Sequence, residues 1–149
     1  MKQLYRDFGS WIRTYFDGPV QKISVDAGFT CPNRDGKLST GGCTYCDNRA
    51  FNPSYCDPRK TIQEQLEDGK AFFSRKYHGM KYLAYFQAYT NTYASVEWLK
   101  HMYEEALQLE DVVGIVIGTR PDCMSDQLLD YLEQLNKQTF LLIVYTIFY

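Results

Sequence analysis

The chain has 149 residues, the size of a single domain that can bury a core without disulfide bonds. Its composition, 45% hydrophobic and 23% charged residues, excludes the disordered, collagen-like and polybasic classes of protein. The formal net charge of -2 gives no overall positive field that would attract a nucleic-acid backbone. Contact with RNA would therefore need a local basic patch.

Residues 1–20 are predicted to form an N-terminal helix. Apolar side chains recur there at steps of three and four, at Leu4, Phe8, Trp11, Ile12, Tyr15 and Phe16. This spacing gives the helix one apolar face, which we expect to cap an apolar opening. The N-terminus lacks the features of a secretory signal, and the longest apolar run is about half of what a bilayer crossing needs. We therefore expect a cytoplasmic protein with no membrane partner.

Strands and helices alternate over residues 21–149. Strands are predicted at 21–28, 82–86, 112–117 and 140–145, with intervening helices capped by Thr61, Ser95 and Ser125. Apolar strands that alternate with amphipathic helices predict an α/β fold with a parallel sheet. Four such units are at most half of an eight-stranded barrel. We therefore expect the amino-terminal half of a partial TIM-type barrel, truncated, whose last strand leaves an open edge that favours self-association.

A long loop, residues 29–58, carries four of the five cysteines. Cys31 is separated by eleven residues from a Cys43-x-x-Cys46 pair. Three thiolates on a four-iron cluster leave one iron open to a substrate or cofactor. The alternative is structural zinc with Cys56 as the fourth ligand, and spacing alone does not separate the two. The position of the loop after the first strand, where barrel active sites assemble, favours the cluster.

Residues 29–46, FTCPNRDGKLSTGGCTYC, resemble the cluster loop of radical S-adenosylmethionine (radical SAM) enzymes, specifically the YhcC-like branch. More distantly they resemble the radical SAM domain of the catalytic subunit of Elongator. Two further stretches, YLAYFQAYTNTYA at 82–94 and GTRPDC at 118–123, agree in order. The resemblance implies a 4Fe-4S cluster on Cys31, Cys43 and Cys46, and SAM bound at its fourth iron. It also implies an electron donor of the flavodoxin or ferredoxin type, and cleavage of SAM to a 5'-deoxyadenosyl radical that takes hydrogen from an unknown substrate.

The same resemblance assigns contacts with SAM. It places Tyr45 against the adenine, a segment at the amino group (Gln87, Ala88, Tyr89 and Thr90), and cofactor-side polar residues (Thr119, Arg120 and Asp122). Without the resemblance, Tyr45 is equally well a surface tyrosine, and Arg120 to Asp122 a turn with a local salt bridge. Cys56 and Cys123 are predicted to be plain thiols, and His78 and His101 to lie at the surface.

Two further features of the sequence bear on its function. The Elongator likeness raises an RNA-modifying enzyme as an alternative, which the acidic charge balance does not support. The fourth strand of the family carries a Glu-Tyr-Gly-like sequence, whereas residues 144–149 here are VYTIFY. A carboxylate and a glycine that face SAM in the family are therefore expected to be missing.

Overall fold

The computed structural model describes residues 4–74 and 79–145. Its elements, in chain order, are α1 (Phe8–Ile12), β1 (Val20–Val25), α2 (Asn48–Phe51), α3 (Ile62–Phe73), β2 (Lys81–Phe86), α4 (Val96–Ala106), β3 (Val112–Thr119), a 3-10 turn (Pro121–Cys123), α5 (Asp126–Asn136) and β4 (Phe140–Tyr145).

The four strands form one parallel sheet in the order β1-β2-β3-β4. Ile23 lies opposite Ala84, Ala84 opposite Ile115, and Ile115 opposite Leu141. The predicted α/β fold with a parallel sheet is confirmed. Because all strands run in one direction, their carboxyl ends meet at one edge of the sheet, where the connecting loops converge.

Side chains at the predicted positions cap the three long helices. Thr61 forms a capping box with Glu64 at the start of α3. The Ser95 and Ser125 hydroxyls accept hydrogen bonds from the backbone N–H groups of Trp98 and Leu128, in the first turns of α4 and α5. Each helix follows a strand or the long loop and returns the chain to the start of the next parallel strand.

The main core lies between the sheet and helices α3, α4 and α5. Its fully buried side chains include Ile23, Leu66, Phe86, Leu99 and Ile117. Burial of each such side chain contributes about 1.5–3 kcal/mol to folding. This layer makes the sheet a firm support for the loops at its carboxyl edge.

The N-terminal segment packs on the opposite face of the sheet. Helix α1 is shorter than predicted: Asp7 caps it, and its regular turns end at Ile12. Ile12 forms a second buried cluster with Leu83 and Val116, and Phe8 and other aromatic side chains pack around it. This segment therefore covers part of the apolar face of the sheet.

Strand β4 is at the end of the sheet and, within residues 4–74 and 79–145, pairs only with β3. Val144 and Tyr145 at its carboxyl end are exposed. In the same ranges, no helix has the length and apolar character to cross a membrane.

Candidate functional site

A buried polar network fixes the start of the cysteine loop to helix α3. Gln65, fully buried on α3, accepts a hydrogen bond from the Asp26 backbone N–H at 2.8 Å and donates one to the Asp26 carbonyl at 2.9 Å. The Asp26 carboxylate accepts bonds from the Gly28 N–H and from the Asn52 side chain. Because buried polar groups are costly when unpaired, these bonds hold the chain as it leaves β1.

Backbone hydrogen bonds fold the loop back on itself. The Cys31 carbonyl accepts from the N–H of Arg34 at 2.8 Å, and the Cys46 N–H donates to the Cys43 carbonyl at 3.0 Å. The Gly42 N–H donates to the Asn33 carbonyl at 2.8 Å, which brings the two cysteine segments together. Gly42 has a φ of +74°, and a Cβ there would be 3.0 Å from Nε of Arg34. Glycine at this position allows the close approach.

The loop and two strand ends enclose a cleft of about 180 Å³ at the carboxyl edge of the sheet. Its lining includes Cys31, Cys43 and Cys46. The other predicted residues that line it are Tyr45 from the loop, Gln87, Tyr89 and Thr90 after β2, and Thr119 and Arg120 at the end of β3. The structure therefore brings together nine of the eleven predicted site residues, from three separate segments of the chain.

Cys31 lies among groups that stabilise a thiolate. Burial raises the pKa of its thiol, but hydrogen bonds from the Thr90 side chain and the Asn33 backbone oppose this effect. The Arg120 guanidinium, with Nη1 3.7 Å from the sulfur, adds a hydrogen bond and positive charge. The net result is a pKa below the ordinary value, so the thiolate, which is the metal-binding form, is more accessible than in an ordinary cysteine.

The other two thiols sit on the opposite segment of the loop. The Asn33 side-chain amide donates to the Cys43 sulfur at 3.1 Å, and Arg34 donates to the Cys46 carbonyl at 3.2 Å. Tyr45, between the two cysteines, is 60% exposed. Its phenol pKa is raised by local desolvation and by a hydrogen bond to Cys43. The Tyr45 hydroxyl is thus a further polar contact of the Cys43 thiol.

The segment after β2 contains a strained residue. Tyr89 has a φ of +63°, a left-handed conformation that is uncommon for a bulky side chain. The Arg34 guanidinium lies over its ring, 5.0 Å from the centroid. This stacking joins the cysteine loop to the end of β2. Ala88, which was predicted to contact SAM, is buried and does not line the cleft, since its side chain points into the protein.

At the end of β3, Arg120 and Asp122 form a bidentate ion pair, with Nε to Oδ1 at 2.9 Å and Nη2 to Oδ2 at 2.6 Å. The bond to Arg120 keeps the pKa of Asp122 below its ordinary value. Asp122 does not line the cleft and faces a neighbouring cavity of about 590 Å³. It therefore acts on the cleft only by orienting Arg120. The local salt bridge that the sequence offered as an alternative is present, and Arg120 also lines the cleft.

Cys56 and Cys123 lie apart from the three cleft thiols. Cys56 is in the main core, where burial and then the nearby Asp26 and Asp57 carboxylates raise its pKa to about 12. Cys123 lines the neighbouring cavity, and burial raises its pKa as well. Neither lines the cleft. Of the histidines, His101 is exposed on α4 as predicted, and His78 lies outside the described residues.

The donor set of the cleft suits a soft metal centre. All five cysteines are unbridged, and three of them face one cleft with Arg120 and the Asn33 amide beside the sulfurs. Thiolate ligands select iron-sulfur clusters, zinc and similar centres. Among residues 4–74 and 79–145, no group of three His, Cys, Asp or Glu side chains is arranged so that it could already hold a metal ion. A metal centre here would therefore require the loop thiols to move.

Four residues of the site are not predicted from the sequence. Asn33, Arg34 and Asn48 line the cleft, and Gln65 anchors the loop from α3. Asn33 and Arg34 lie within the motif, and their side chains contact partners 10 and 55 residues away in sequence. Gln65 alone could have been found from the sequence, because it is a polar residue next to Leu66 on the inner side of a helix.

Comparison with known proteins finds relatives of greater length. The chain is 43% identical over 137 residues to the uncharacterized protein YtqA of Bacillus subtilis, which is 92% of this chain and 42% of that protein. It is 38% identical over 140 residues to protein YhcC of Escherichia coli, 94% of this chain and 44% of that protein. It is 35% identical over 134 residues to the uncharacterized protein MJ0486 of Methanocaldococcus jannaschii, 88% of this chain and 40% of that protein.

No protein-family model and no solved structure matches the chain. The names of these relatives state no activity. The chain spans less than half the length of the curated relatives it matches, and each of the three alignments covers 88% or more of this chain.

Proposed function

We propose that this chain is the cluster- and SAM-binding part of a radical SAM enzyme. The observation that carries the proposal is the single cleft in which Cys31, Cys43 and Cys46 face Thr90 and Arg120 from the carboxyl ends of two parallel strands. Ligand sites of parallel α/β proteins lie at this edge of the sheet. The motif resemblance concerns the order of these residues along the chain, and the cleft concerns their positions in the fold.

In this proposal the three thiolates hold a 4Fe-4S cluster, which supplies one-electron chemistry to bound SAM. The residues of the chain would bind and orient the cluster and SAM. Asn33 and Arg120 donate toward the sulfurs of Cys43 and Cys31, and such hydrogen bonds tune the potential of an iron-sulfur centre. Asp122 fixes the direction of Arg120 by a two-point ion pair.

For SAM, the proposal uses the exposed Tyr45 ring and the strand-end residues Gln87, Tyr89, Thr90 and Thr119. An exposed aromatic ring can stack on a purine, and side-chain oxygens can accept from an ammonium group. Ala88 and Asp122 are left out of direct contact, because they do not line the cleft.

The partial TIM-type barrel belongs to the same proposal. Four adjacent parallel strands in sequential order are the arrangement that a half barrel requires. The open edge of β4 is the position at which a fifth strand would pair. The matched relatives are more than twice as long as the aligned region, which leaves sequence for further strands in those proteins.

Structural zinc on four thiolates is the less favourable alternative, because Cys56 lies in the core beside Asp26 and Asp57 and does not line the cleft. A closed zinc site needs all its ligands at one point, about 2.3 Å from the metal. The RNA-modifying alternative and the electron donor remain predictions.

Anaerobic reconstitution with iron and sulfide tests the proposal. We expect a brown protein with about four irons and four sulfides per chain, and a change in its electron paramagnetic resonance spectrum when SAM is added. Cys43→Ala should lose most of the iron, since three thiolates are the minimum for this centre.

Cys56→Ala is the matched control, and it should keep the iron because its thiol is in the core. A colourless wild-type protein that holds one zinc, or equal metal loss in the two variants, would contradict the proposal.

A further inference from the structure

Arg34 contacts all three segments that carry the cleft thiols. Its backbone N–H donates to the Cys31 carbonyl at 2.8 Å, and its Nη2 donates to the Cys46 carbonyl at 3.2 Å. The guanidinium also lies close to Gly42, the residue before Cys43, since a Cβ at Gly42 would be 3.1 Å from Cζ of Arg34. A single side chain therefore connects the beginning of the cysteine motif to its end.

The segment after β2 supports this side chain from outside the cysteine loop. The Tyr89 ring stacks on the Arg34 guanidinium, with Cζ of Arg34 5.0 Å from the ring centroid. The N–H of the next residue, Thr90, donates to the Thr30 carbonyl at 3.2 Å, so the segment is itself bonded to the start of the motif. A stacked guanidinium is planar and already oriented, and it therefore loses little freedom when it makes a hydrogen bond.

The strained backbone of Tyr89 fits this supporting role. Its φ of +63° is uncommon for a bulky side chain and persists only where the surrounding contacts favour it. Its neighbours Ala88 and Thr90 are both 1% exposed, so the chain on either side of Tyr89 is fixed in the fold. Between these two buried residues, Tyr89 is half-buried and lines the cleft, on the side where Arg34 lies.

We propose that Arg34 is a positioning residue of the cysteine site, and that the Tyr89 ring is the support that keeps it in place. The thiols have to move before they can hold a metal centre. A guanidinium that is bonded to the Cys46 carbonyl and stacked on Tyr89 limits this movement, so that Cys46 stays in the cleft with Cys31. The identity of the metal centre rests on the proposed function, whereas the positioning of the thiols does not.

Cadmium binding tests the positioning without iron, sulfide or SAM. The parent protein is the full chain with Cys56→Ala and Cys123→Ala, which leaves only the three cleft cysteines. Cd²⁺ is titrated while the absorbance of the cadmium–thiolate bonds is recorded. We expect the parent to bind one Cd²⁺ ion through all three thiolates, because soft thiolate ligands select soft metal ions.

Arg34→Met in the parent keeps an apolar side chain of similar length but loses the hydrogen bond and the stacking. The affinity for Cd²⁺ should fall by about 10- to 100-fold, the usual effect of removing a group that orients metal ligands. The absorbance at saturation should correspond to about two thiolates, because Cys46 is no longer held. Arg34→Lys keeps the charge without the planar group, so its affinity should also stay below that of the parent.

Tyr89 provides a second, independent set of variants. Tyr89→Asn removes the ring and places a residue that tolerates a positive φ there, so it should weaken Cd²⁺ binding as Arg34→Met does. The double variant should lose no more than either single variant, because both remove the same stacked pair. Tyr89→Phe keeps the ring and should bind Cd²⁺ as tightly as the parent.

Arg59→Met is the matched control, since Arg59 pairs with Asp57 and does not line the cleft. It should bind Cd²⁺ like the parent. Parent-like binding by both Arg34→Met and Tyr89→Asn, additive losses in the double variant, or a parent that does not bind Cd²⁺ through three thiolates would overturn the proposal.

The two proposals fail separately. The expected Cd²⁺ results in a chain that takes up no iron would keep the role of Arg34 and remove the proposed function. A reconstituted brown protein whose Arg34→Met variant binds Cd²⁺ like the parent would do the reverse.

Discussion

The helix-covered sheet and the cysteine loop are stabilised by different forces. In the sheet layer, Ile23, Leu66 and Leu99 are completely buried. In the loop of residues 29–58, Leu38 and Tyr45 are 63% and 60% exposed, and the chain is held mainly by hydrogen bonds. Apolar burial therefore fixes the support, and a small number of polar contacts fixes the geometry of the thiols.

The two regions meet at a few buried groups. Phe29 and Tyr55, near the ends of the loop, insert into the main core, and Gln65 on α3 holds Asp26 at the end of β1. The difference between core and loop predicts which region a substitution will affect. Changes in the core should lower the stability of the whole chain, whereas changes at the junction should first release the loop.

The largest expected effect is in the core. Leu99→Ala on α4 should lower the free energy of unfolding by about 3 kcal/mol, because it removes a completely buried side chain and leaves a cavity. Urea denaturation followed by circular dichroism measures the change. The control is Leu129→Ala on α5, where the side chain is 45% exposed and the loss should be below about 1 kcal/mol. Similar losses in both variants would contradict the assignment of the core.

The second-largest expected loss of stability is at a close approach between α3 and β1. A Cβ at Gly69 would lie 2.3 Å from Cγ2 of Ile23, so Gly69→Ala should cost about 2 kcal/mol despite the better helix propensity of alanine. Urea denaturation again measures the difference.

Gly41→Ala is the matched control in the loop. Nothing lies within 4 Å of its Cβ position, so the free energy of unfolding should change by less than about 0.5 kcal/mol. A stabilised Gly69→Ala variant would show that helix and strand are further apart than described.

Local sequence signals predict the framework well. Thr61, Ser95 and Ser125 each begin a helix as expected, and β4 spans the predicted residues 140–145. These features depend on neighbours in sequence: a capping side chain bonds to a backbone group three residues later, and strand patterns have a period of two. The first helix is shorter than its apolar spacing predicts at both ends: Asp7 and not an earlier residue caps it, and its regular turns end at Ile12.

The site is predicted less completely, because its contacts are long-range. The cysteines and the strand-end residues follow from motif and topology, but Asp122 is turned away from the cleft by its ion pair with Arg120. The stacking of Arg34 on Tyr89 joins segments 55 residues apart. No local pattern encodes a contact of this kind.

The junction between the two regions is tested by Gln65→Leu. The substitution leaves the Asp26 N–H and carbonyl without their partners, which should cost about 1.5 kcal/mol. Its sharper readout is thiol accessibility: Cys31, Cys43 and Cys46 should react several-fold faster with a thiol reagent, while Cys56 remains protected.

Gln63→Leu is the control, since Gln63 bonds to Gln108 at the surface and not to the loop. Its cleft thiols should react at the wild-type rate. If Gln65→Leu also leaves that rate unchanged, the loop does not depend on this network.

The smallest expected effect concerns alkaline pH. Burial raises the pKa of Cys56 from an ordinary value of 9.0 to about 12, so folding favours the neutral thiol. The corresponding stability is present below pH 9 and is lost as pH rises from 9 toward 12, since only the unfolded chain ionises readily there. Between pH 9 and pH 10 this thiol should reduce the free energy of unfolding by about 1 kcal/mol.

Urea denaturation at these two pH values, compared between wild type and Cys56→Ala, isolates the contribution of Cys56. The variant should lose less stability across the interval, because its residue 56 cannot ionise, whereas the other cysteines and the tyrosines titrate equally in both proteins. Cys123→Ala is the matched control: its thiol is less buried, with a smaller rise in pKa, so its pH dependence should stay closer to wild type. If Cys56→Ala loses as much stability as wild type, Cys56 is accessible to solvent, and its assignment to the core is no longer supported.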